Sequence, residues 1–212
     1  MNKDTNYYNS ERNEIYPFIP DNIKKTLEVG CALGNFSANL KENRNTESWG
    51  IEMEEKVAKI AQSKLDKVII GAFEDVYTQL PSQYFDCIFF NDVLEHMSYP
   101  EDCLTKVKDS LTPDGYIVAS IPNVRYIEVL IDLVFHKDWE YKNSGVMDKT
   151  HLRFFTKKSM IRMFEKCGYK VKSIKGIRSI SPYCLTSLIN LLLFNKIEDV
   201  KYKQFVIVAT QK

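Results

Sequence analysis

Short apolar runs alternate with amphipathic segments along most of this chain, and this alternation is the feature that most constrains its fold. Five such runs precede Pro122, at 25–29, 47–53, 67–70, 85–90 and 116–121. Their nearly continuous apolar character is typical of strands that are covered by helices on both faces, as in a parallel sheet. The sequence therefore predicts an α/β fold with three layers.

The pattern changes after Pro122, where the regular alternation ends. A long mixed insertion of about 123–156 precedes a predicted helix at 157–166. Two further strand-like runs follow, at 169–174 and 204–210, with a second insertion of about 179–200 between them. We expect one domain over residues 1–212, with specificity in the two insertions, because loops on a rigid scaffold usually carry it.

Composition excludes several classes of protein. The chain has 29 Lys+Arg and 28 Asp+Glu, and with no basic tract we expect no nucleic-acid partner. The polar first dozen residues do not resemble a secretory or transit peptide, and no apolar run reaches the roughly 20 residues that span a bilayer. The 5 cysteines are scattered, with no CxxC pair, which favours a cytoplasmic protein without disulfides.

A glycine-containing loop follows the first predicted strand. Gly30, Ala32 and Gly34 stand where the strand turns into a helix, a place that brings backbone N–H groups close to a ligand. The spacing matches neither the dinucleotide pattern G-x-G-x-x-G nor a P-loop. Glu52 ends the second run about 20 residues later, where an acid can accept both hydroxyls of a ribose. The two features predict a nucleoside site. The alternatives are a tight strand–helix turn without a ligand for the glycine loop, and a solvated carboxylate at the strand end for Glu52.

Three later segments carry a resemblance to a known family. The segments FDCIFFNDVLEH at 85–96 and LTPDGY at 111–116 resemble the motifs of class I S-adenosylmethionine-dependent methyltransferases. The segment GVMDKTHLRFFT at 145–156 is similar to one common in a bacterial branch of that family. The resemblance implies a Rossmann-like, seven-stranded, mostly parallel sheet with an antiparallel last strand, and S-adenosylmethionine as cofactor.

The resemblance also assigns cofactor-binding residues. They are Glu28, Gly30, Cys31, Ala32, Gly34, Glu52, Met53, Phe73, Glu74 and Asn91. Glu28 and the backbone carbonyl of Asn91 would hold the methionine amino group, and Glu52 the ribose. Met53, Phe73 and Glu74 would border the adenine.

Two positions depart from the family pattern. Ala32 replaces the usual middle glycine, and we expect its φ to be negative because an alanine methyl is strained at positive φ. Ala72 stands where many members have an aspartate that binds the adenine amino group. At the amino-terminal end, Tyr7, Tyr8 and Arg12 could close over the cofactor, with Arg12 near its carboxylate; an inert helix is the alternative.

The sequence offers few candidate catalytic residues. Methyl transfer needs a base only when the acceptor is a hydroxyl or a protonated amine. His96, just after the fourth predicted strand, and His151, in the first insertion, are the candidates for a base. Each could instead be a structural histidine, and His136 reads as a surface residue. Asn91 and Asp92 alone do not make a carboxylate site, so we expect no metal.

The resemblance therefore implies a methyltransferase, which we expect to act on an oxygen, nitrogen or carbon of a small-molecule acceptor. A non-catalytic cofactor-binding or scaffold protein of the same fold is the alternative. The insertions contain apolar helical segments at about 126–135 and 183–194. Core or lid packing, a homodimer face and a site for a lipophilic acceptor all fit them.

Overall fold

The computed structural model describes residues 11–179 and 197–212, and it has one seven-stranded sheet flanked by helices. The strands are β1 (Lys25–Val29), β2 (Glu47–Glu52), β3 (Lys67–Ile70), β4 (Phe85–Asn91), β5 (Leu111–Pro122), β6 (Tyr169–Ser179) and β7 (Tyr202–Gln211). The α-helices are α1 (Asn35–Arg44), α2 (Glu55–Gln62), α3 (Phe73–Val76), α4 (Pro100–Val107), α5 (Ile127–Ile131) and α6 (Lys157–Lys166). The predictions for Tyr7, Tyr8 and the apolar segment 183–194 lie outside the described residues.

The strand order is β3-β2-β1-β4-β5-β7-β6. β1 to β5 pair in parallel, whereas β7 is antiparallel to both β5 and β6. This topology confirms the predicted fold class, including the antiparallel last strand. The order reverses between β1 and β4, and ligands of such sheets bind at the carboxyl edge of that switch point.

The central strand β4 shows why the apolar runs are continuous. Ile88 and Phe90 pack into the core on one face of the sheet, while Cys87 and Phe89 pack into the core on the other. All four side chains are fully buried. Because both faces are covered, neither set of alternating positions can be polar, as expected for a parallel sheet.

Several element boundaries differ from the sequence prediction; β6, for example, continues to Ser179 beyond the predicted end at residue 174. The predicted turn at 112–115 lies inside β5, where the register with β4 shifts between the pairs Phe85–Leu111 and Cys87–Tyr116. The turn-forming residues thus make an irregularity without ending the strand. The predicted helix at 126–135 is a short α5 followed by a π-helical turn, Asp132–His136. No helix in the described part of the chain is long and apolar enough to cross a membrane.

Candidate functional site

Glu28 and Asn91 meet at the carboxyl ends of the adjacent strands β1 and β4. The Glu28 side chain is only 3% exposed; its Oε1 accepts from Asn91 Nδ2 at 2.9 Å and its Oε2 from Ser37 Oγ at 2.7 Å. Burial raises the pKa of Glu28 to about 7, against the lowering effect of the two hydrogen bonds. Asn91 Oδ1 is also buried and has no hydrogen-bond partner. A buried acid and an amide oxygen without a donor together suit a cationic amino group.

The loop after β1 has three left-handed residues. The φ angles of Gly30, Ala32 and Gly34 are 72°, 49° and 73°. The expectation of a negative φ at Ala32 is therefore wrong: its backbone N–H donates to Glu52 Oε2 at 2.9 Å, and this bond holds the loop in that conformation. A Cβ at Gly30 would lie 2.6 Å from Val93 Cγ2, so a larger residue is excluded there.

The loop also contains a cysteine that is not available for chemistry. Cys31 is buried, and its Sγ lies only 2.5 Å from the position that a Cβ on Gly50 would take. Burial raises the pKa of the Cys31 thiol well above its usual value, so it stays protonated and unreactive. The residue therefore supports the loop by packing.

Glu52 and Met53 lie at the end of β2, on the other side of the loop. Glu52 is buried, and its Oε1 also accepts from Glu54 N–H at 2.9 Å. Each carboxylate oxygen keeps a further lone pair for a hydroxyl donor. The Met53 side chain is 73% exposed beside it, an apolar surface that a flat ring could cover.

The structure separates the two residues predicted to follow β3. The Phe73 ring is buried in the core and stacks on Tyr77 with centroids 5.9 Å apart. Glu74 is exposed at the start of α3. Of the two predicted residues, only Glu74 therefore exposes its side chain.

Arg12 pairs with Asp92, directly after β4. Its guanidinium forms an ion pair with the Asp92 carboxylate and donates to Ser120 Oγ at 2.6 Å. Gln204 Nε2 donates to the same carboxylate at 2.8 Å. Burial alone would lower the pKa of Arg12, but the carboxylates of Asp92 and Glu14 raise it. Sequence reasoning missed these partners, since more than 80 positions separate Arg12 from Ser120 and Gln204.

The two candidate bases, His96 and His151, lie face to edge with ring centroids 4.8 Å apart. His96 ends the short turn after β4, and His151 comes from the first insertion. The insertion is held in place because the N–H groups of Leu152 and Arg153 donate to the backbone carbonyl of Glu95, at 2.8 and 3.0 Å. His136 is 66% exposed and pairs with Asp132, outside this group, as expected for a surface residue.

Glu95 is the functional candidate that sequence reasoning missed in this region. Its side chain is 1% exposed, and its Oε1 lies 3.9 Å from His151 Nε2. The only signal in the sequence is its place next to His96 after a buried strand. That place does not show which way the side chain points.

Comparisons with known proteins agree with this geometry. The family model of the methyltransferase domain matches residues 3–174. A ubiquinone biosynthesis O-methyltransferase of Chromobacterium violaceum is 28% identical over 162 residues, covering 73% of this chain and 68% of that protein. A S-adenosylmethionine-dependent methyltransferase from Archaeoglobus fulgidus superimposes with a TM-score of 0.68 at 19% identity, over 93% of this chain and 91% of that one. A structure from Thermotoga maritima, described as a possible histamine N-methyltransferase, gives 0.68 at 20% identity, over 97% and 89%.

The residues at the carboxyl edge fit the cofactor of this family. A buried acid and an orphaned amide oxygen at β1 and β4 suit an amino group, and a second acid at β2 suits a ribose. The family model covers far more than half of the chain, and the sheet has the seven strands and the antiparallel last strand that the resemblance implies. The chain therefore belongs to the methyltransferase-domain family, as a class I enzyme that uses S-adenosylmethionine.

Proposed function

We propose that this enzyme methylates a hydroxyl or amino group of a small-molecule acceptor. The observation that carries the proposal is the placement of two residue pairs at the end of β4. Asn91, the last residue of β4, pairs with Glu28, and His96, five residues further along, packs against His151. The first suits the methionine end of the cofactor, and the second suits an acceptor that must lose a proton. The name of the Chromobacterium violaceum relative, a ubiquinone biosynthesis O-methyltransferase, supports a small acceptor with a hydroxyl group.

Four residues would hold the cofactor. Glu28 and Asn91 Oδ1 accept hydrogen bonds from an amino group, and Glu52 accepts them from ribose hydroxyls. Met53 offers an apolar face to the adenine. When bound, S-adenosylmethionine supplies a methyl group activated by the neighbouring positive sulfur. The protein's part is then to align the acceptor and to exclude water.

The histidines are arranged to take a proton at Nε2. Nδ1 of His96 faces the carbonyl oxygen of Thr150 at 3.0 Å, and Nδ1 of His151 faces that of Val146 at 2.9 Å. A carbonyl can only accept, so each Nδ1 carries the proton and each Nε2 is the basic atom. An acceptor with a hydroxyl or a protonated amine needs such a base, whereas many carbon nucleophiles do not.

Calorimetric titration with S-adenosylhomocysteine tests the cofactor site. Because Glu28 has a pKa of about 7, only its ionised fraction can pair with the amino group. We expect binding to strengthen about eightfold between about pH 6 and about pH 7.5, and Glu28→Gln to abolish this dependence. Methylthioadenosine lacks the amino group and should show no such change. Absence of binding at millimolar S-adenosylhomocysteine would overturn the proposal.

Transfer of a labelled methyl group to a panel of phenols, catechols, alcohols and amines tests the acceptor class. Activity on any member should fall at least about 100-fold in His96→Asn, the range that a general base contributes. His136→Asn is the matched control, since this histidine lies outside the site, and its activity should not change. Transfer only to carbon nucleophiles, with His96→Asn fully active, would contradict the acceptor class.

A further inference from the structure

We propose that Glu95, His96 and His151 form a binding site for a divalent transition-metal cation, with Zn²⁺ as the best match. Each residue offers one ligand atom, and these atoms all lie within 4.8 Å of one another. No second group of this kind occurs within residues 11–179 and 197–212. No motif in the sequence predicts this site, because His151 is more than 50 positions away from the other two residues.

Both imidazoles are oriented as metal ligands usually are. A metal-binding histidine typically donates its other ring N–H to a carbonyl or a carboxylate, which fixes the tautomer and the ring direction. His96 and His151 each direct Nδ1 at a backbone carbonyl, at 3.0 and 2.9 Å. Nε2 is therefore the coordinating atom in both residues, and His151 Nε2 lies 3.9 Å from Glu95 Oε1.

The loop that carries His151 is fixed before any cation binds. Asp148 is buried, and its Oδ1 accepts from the N–H of Thr150 at 2.8 Å and from its hydroxyl at 2.7 Å. The same Thr150 supplies the carbonyl that orients His96. One turn of the insertion thus positions both histidines, and the ligand set is largely preorganised.

Two imidazoles and one carboxylate match the ligand chemistry of Zn²⁺. Bonds of about 2.0–2.2 Å bring tetrahedral ligand atoms to roughly 3.3 Å from one another, so side-chain rotation must close gaps of up to about 1.5 Å. Three protein ligands leave a coordination position open, as in catalytic rather than structural zinc sites.

The role of the cation, unlike its binding, rests on the proposed function. In the open position it would bind the acceptor oxygen and lower the pKa of that hydroxyl, whose proton leaves to water. His96 and His151 would then act as ligands in the metal-bound enzyme and as bases only without the metal.

Titration of the purified, chelator-treated chain with Zn²⁺ and Co²⁺ tests the site. We expect one cation per chain, and for Co²⁺ a visible absorption typical of nitrogen and oxygen ligands without the charge-transfer band of thiolates. The variants Glu95→Gln, His96→Gln and His151→Gln should each weaken binding at least about tenfold. His136→Gln, which alters the one histidine outside the cluster, should bind as the unchanged protein does.

The outcomes are separable from those of the proposed function. Less than one cation per chain, or binding that survives all three cluster substitutions, would overturn the metal site. Should Glu95→Gln fail to fold, His96→Gln still decides, because His96 is only partly buried. S-adenosylhomocysteine binding is measured on the same samples. If the protein binds S-adenosylhomocysteine but neither Zn²⁺ nor Co²⁺, only the metal site is refuted. If it binds the cations but not S-adenosylhomocysteine, only the cofactor proposal is refuted.

Discussion

At the scale of one residue, the burial of Glu28 changes its pKa in a way that affects ligand binding. Its carboxyl is held by Ser37 and Asn91, yet burial raises its pKa to about 7. The protein without cofactor therefore contains a half-charged acid near neutral pH. A cationic partner favours the charged form, so this group links binding to proton release.

The same pKa predicts how stability depends on pH. At pH values between 4.5, the ordinary pKa of a glutamate, and about 7, Glu28 holds a proton in the folded protein that the unfolded chain releases. Its contribution to stability is thus fully present below 4.5 and is lost as the pH rises through 7. Relative to Glu28→Gln, the protein should lose about 3 kcal/mol of unfolding free energy between about pH 4.5 and pH 8. Urea denaturation at both pH values measures it; a difference that does not change with pH would contradict it.

Ala32 gives a second prediction at this scale. Its φ of 49° costs an alanine about 1–2 kcal/mol, whereas glycine adopts it freely at the expense of unfolded-state entropy. Ala32→Gly should therefore stabilise the protein by about 0.5 kcal/mol. Ala38→Gly, inside α1, is the control and should destabilise it by about 1 kcal/mol. Chemical denaturation measures the stability change of both variants. A loss of stability in Ala32→Gly would show that the alanine methyl group stabilises the loop.

Residue spacing predicted where Glu52 lies, at the end of the second apolar run, whereas the resemblance to the family assigned Glu28 and Asn91 to the cofactor site. Spacing could not predict that Glu95 is buried or that Arg12 pairs with Asp92. Those contacts depend on how the insertion and the amino-terminal segment fold back onto the sheet. Neither segment has a periodic pattern from which this could be read.

At the scale of elements, helix α6 begins where the sequence predicted because its start is chemically marked. Thr156 Oγ1 accepts from Ser159 N–H at 3.2 Å, and Ser159 Oγ accepts from Thr156 N–H at 2.9 Å, a reciprocal capping box. β5 lacks such a marker at its start. Its true beginning, Leu111, is hidden by the turn-like residues that follow, and the predicted boundary was late.

The capping box predicts a measurable cost. Thr156→Ala should lower the free energy of unfolding by about 1 kcal/mol, because it removes the cap of a helix that packs on the core. Thr105→Ala is the matched control: its exposed hydroxyl bonds a carbonyl inside α4, and its removal should cost less than about 0.5 kcal/mol. Equal effects in urea denaturation would mean that the cap contributes nothing specific.

At the scale of the whole molecule, the Arg12–Asp92 pair joins four separate parts of the chain. Besides the segment that carries Arg12 and the end of β4, it includes Ser120 of β5 and Gln204 of β7. Asp92 itself has a φ of 55°, a strained conformation that these contacts hold. The pair thus connects the amino-terminal segment to the edge that carries the site.

A double-mutant cycle of Arg12→Gln and Asp92→Asn tests this connection. Asp92→Asn leaves the buried Arg12 and Arg12→Gln leaves the partly buried Asp92 without its ion-pair partner, so we expect a coupling energy of about 2 kcal/mol. The control pair Lys41–Asp66, with both side chains more than a third exposed, should show about 0.5 kcal/mol. Denaturation of the four proteins in each cycle measures the difference, and equal coupling in the two pairs would show that burial adds nothing.

The position of β7 has a consequence for synthesis on the ribosome. β6 leaves the ribosome first, yet within the described sheet its partner is β7, which also pairs with β5. Until β7 emerges, β5 and β6 both expose unpaired backbone, and such edges recruit strands from other chains. Newly made chains arrested before residue 202 are therefore the form in which this protein should need a chaperone most.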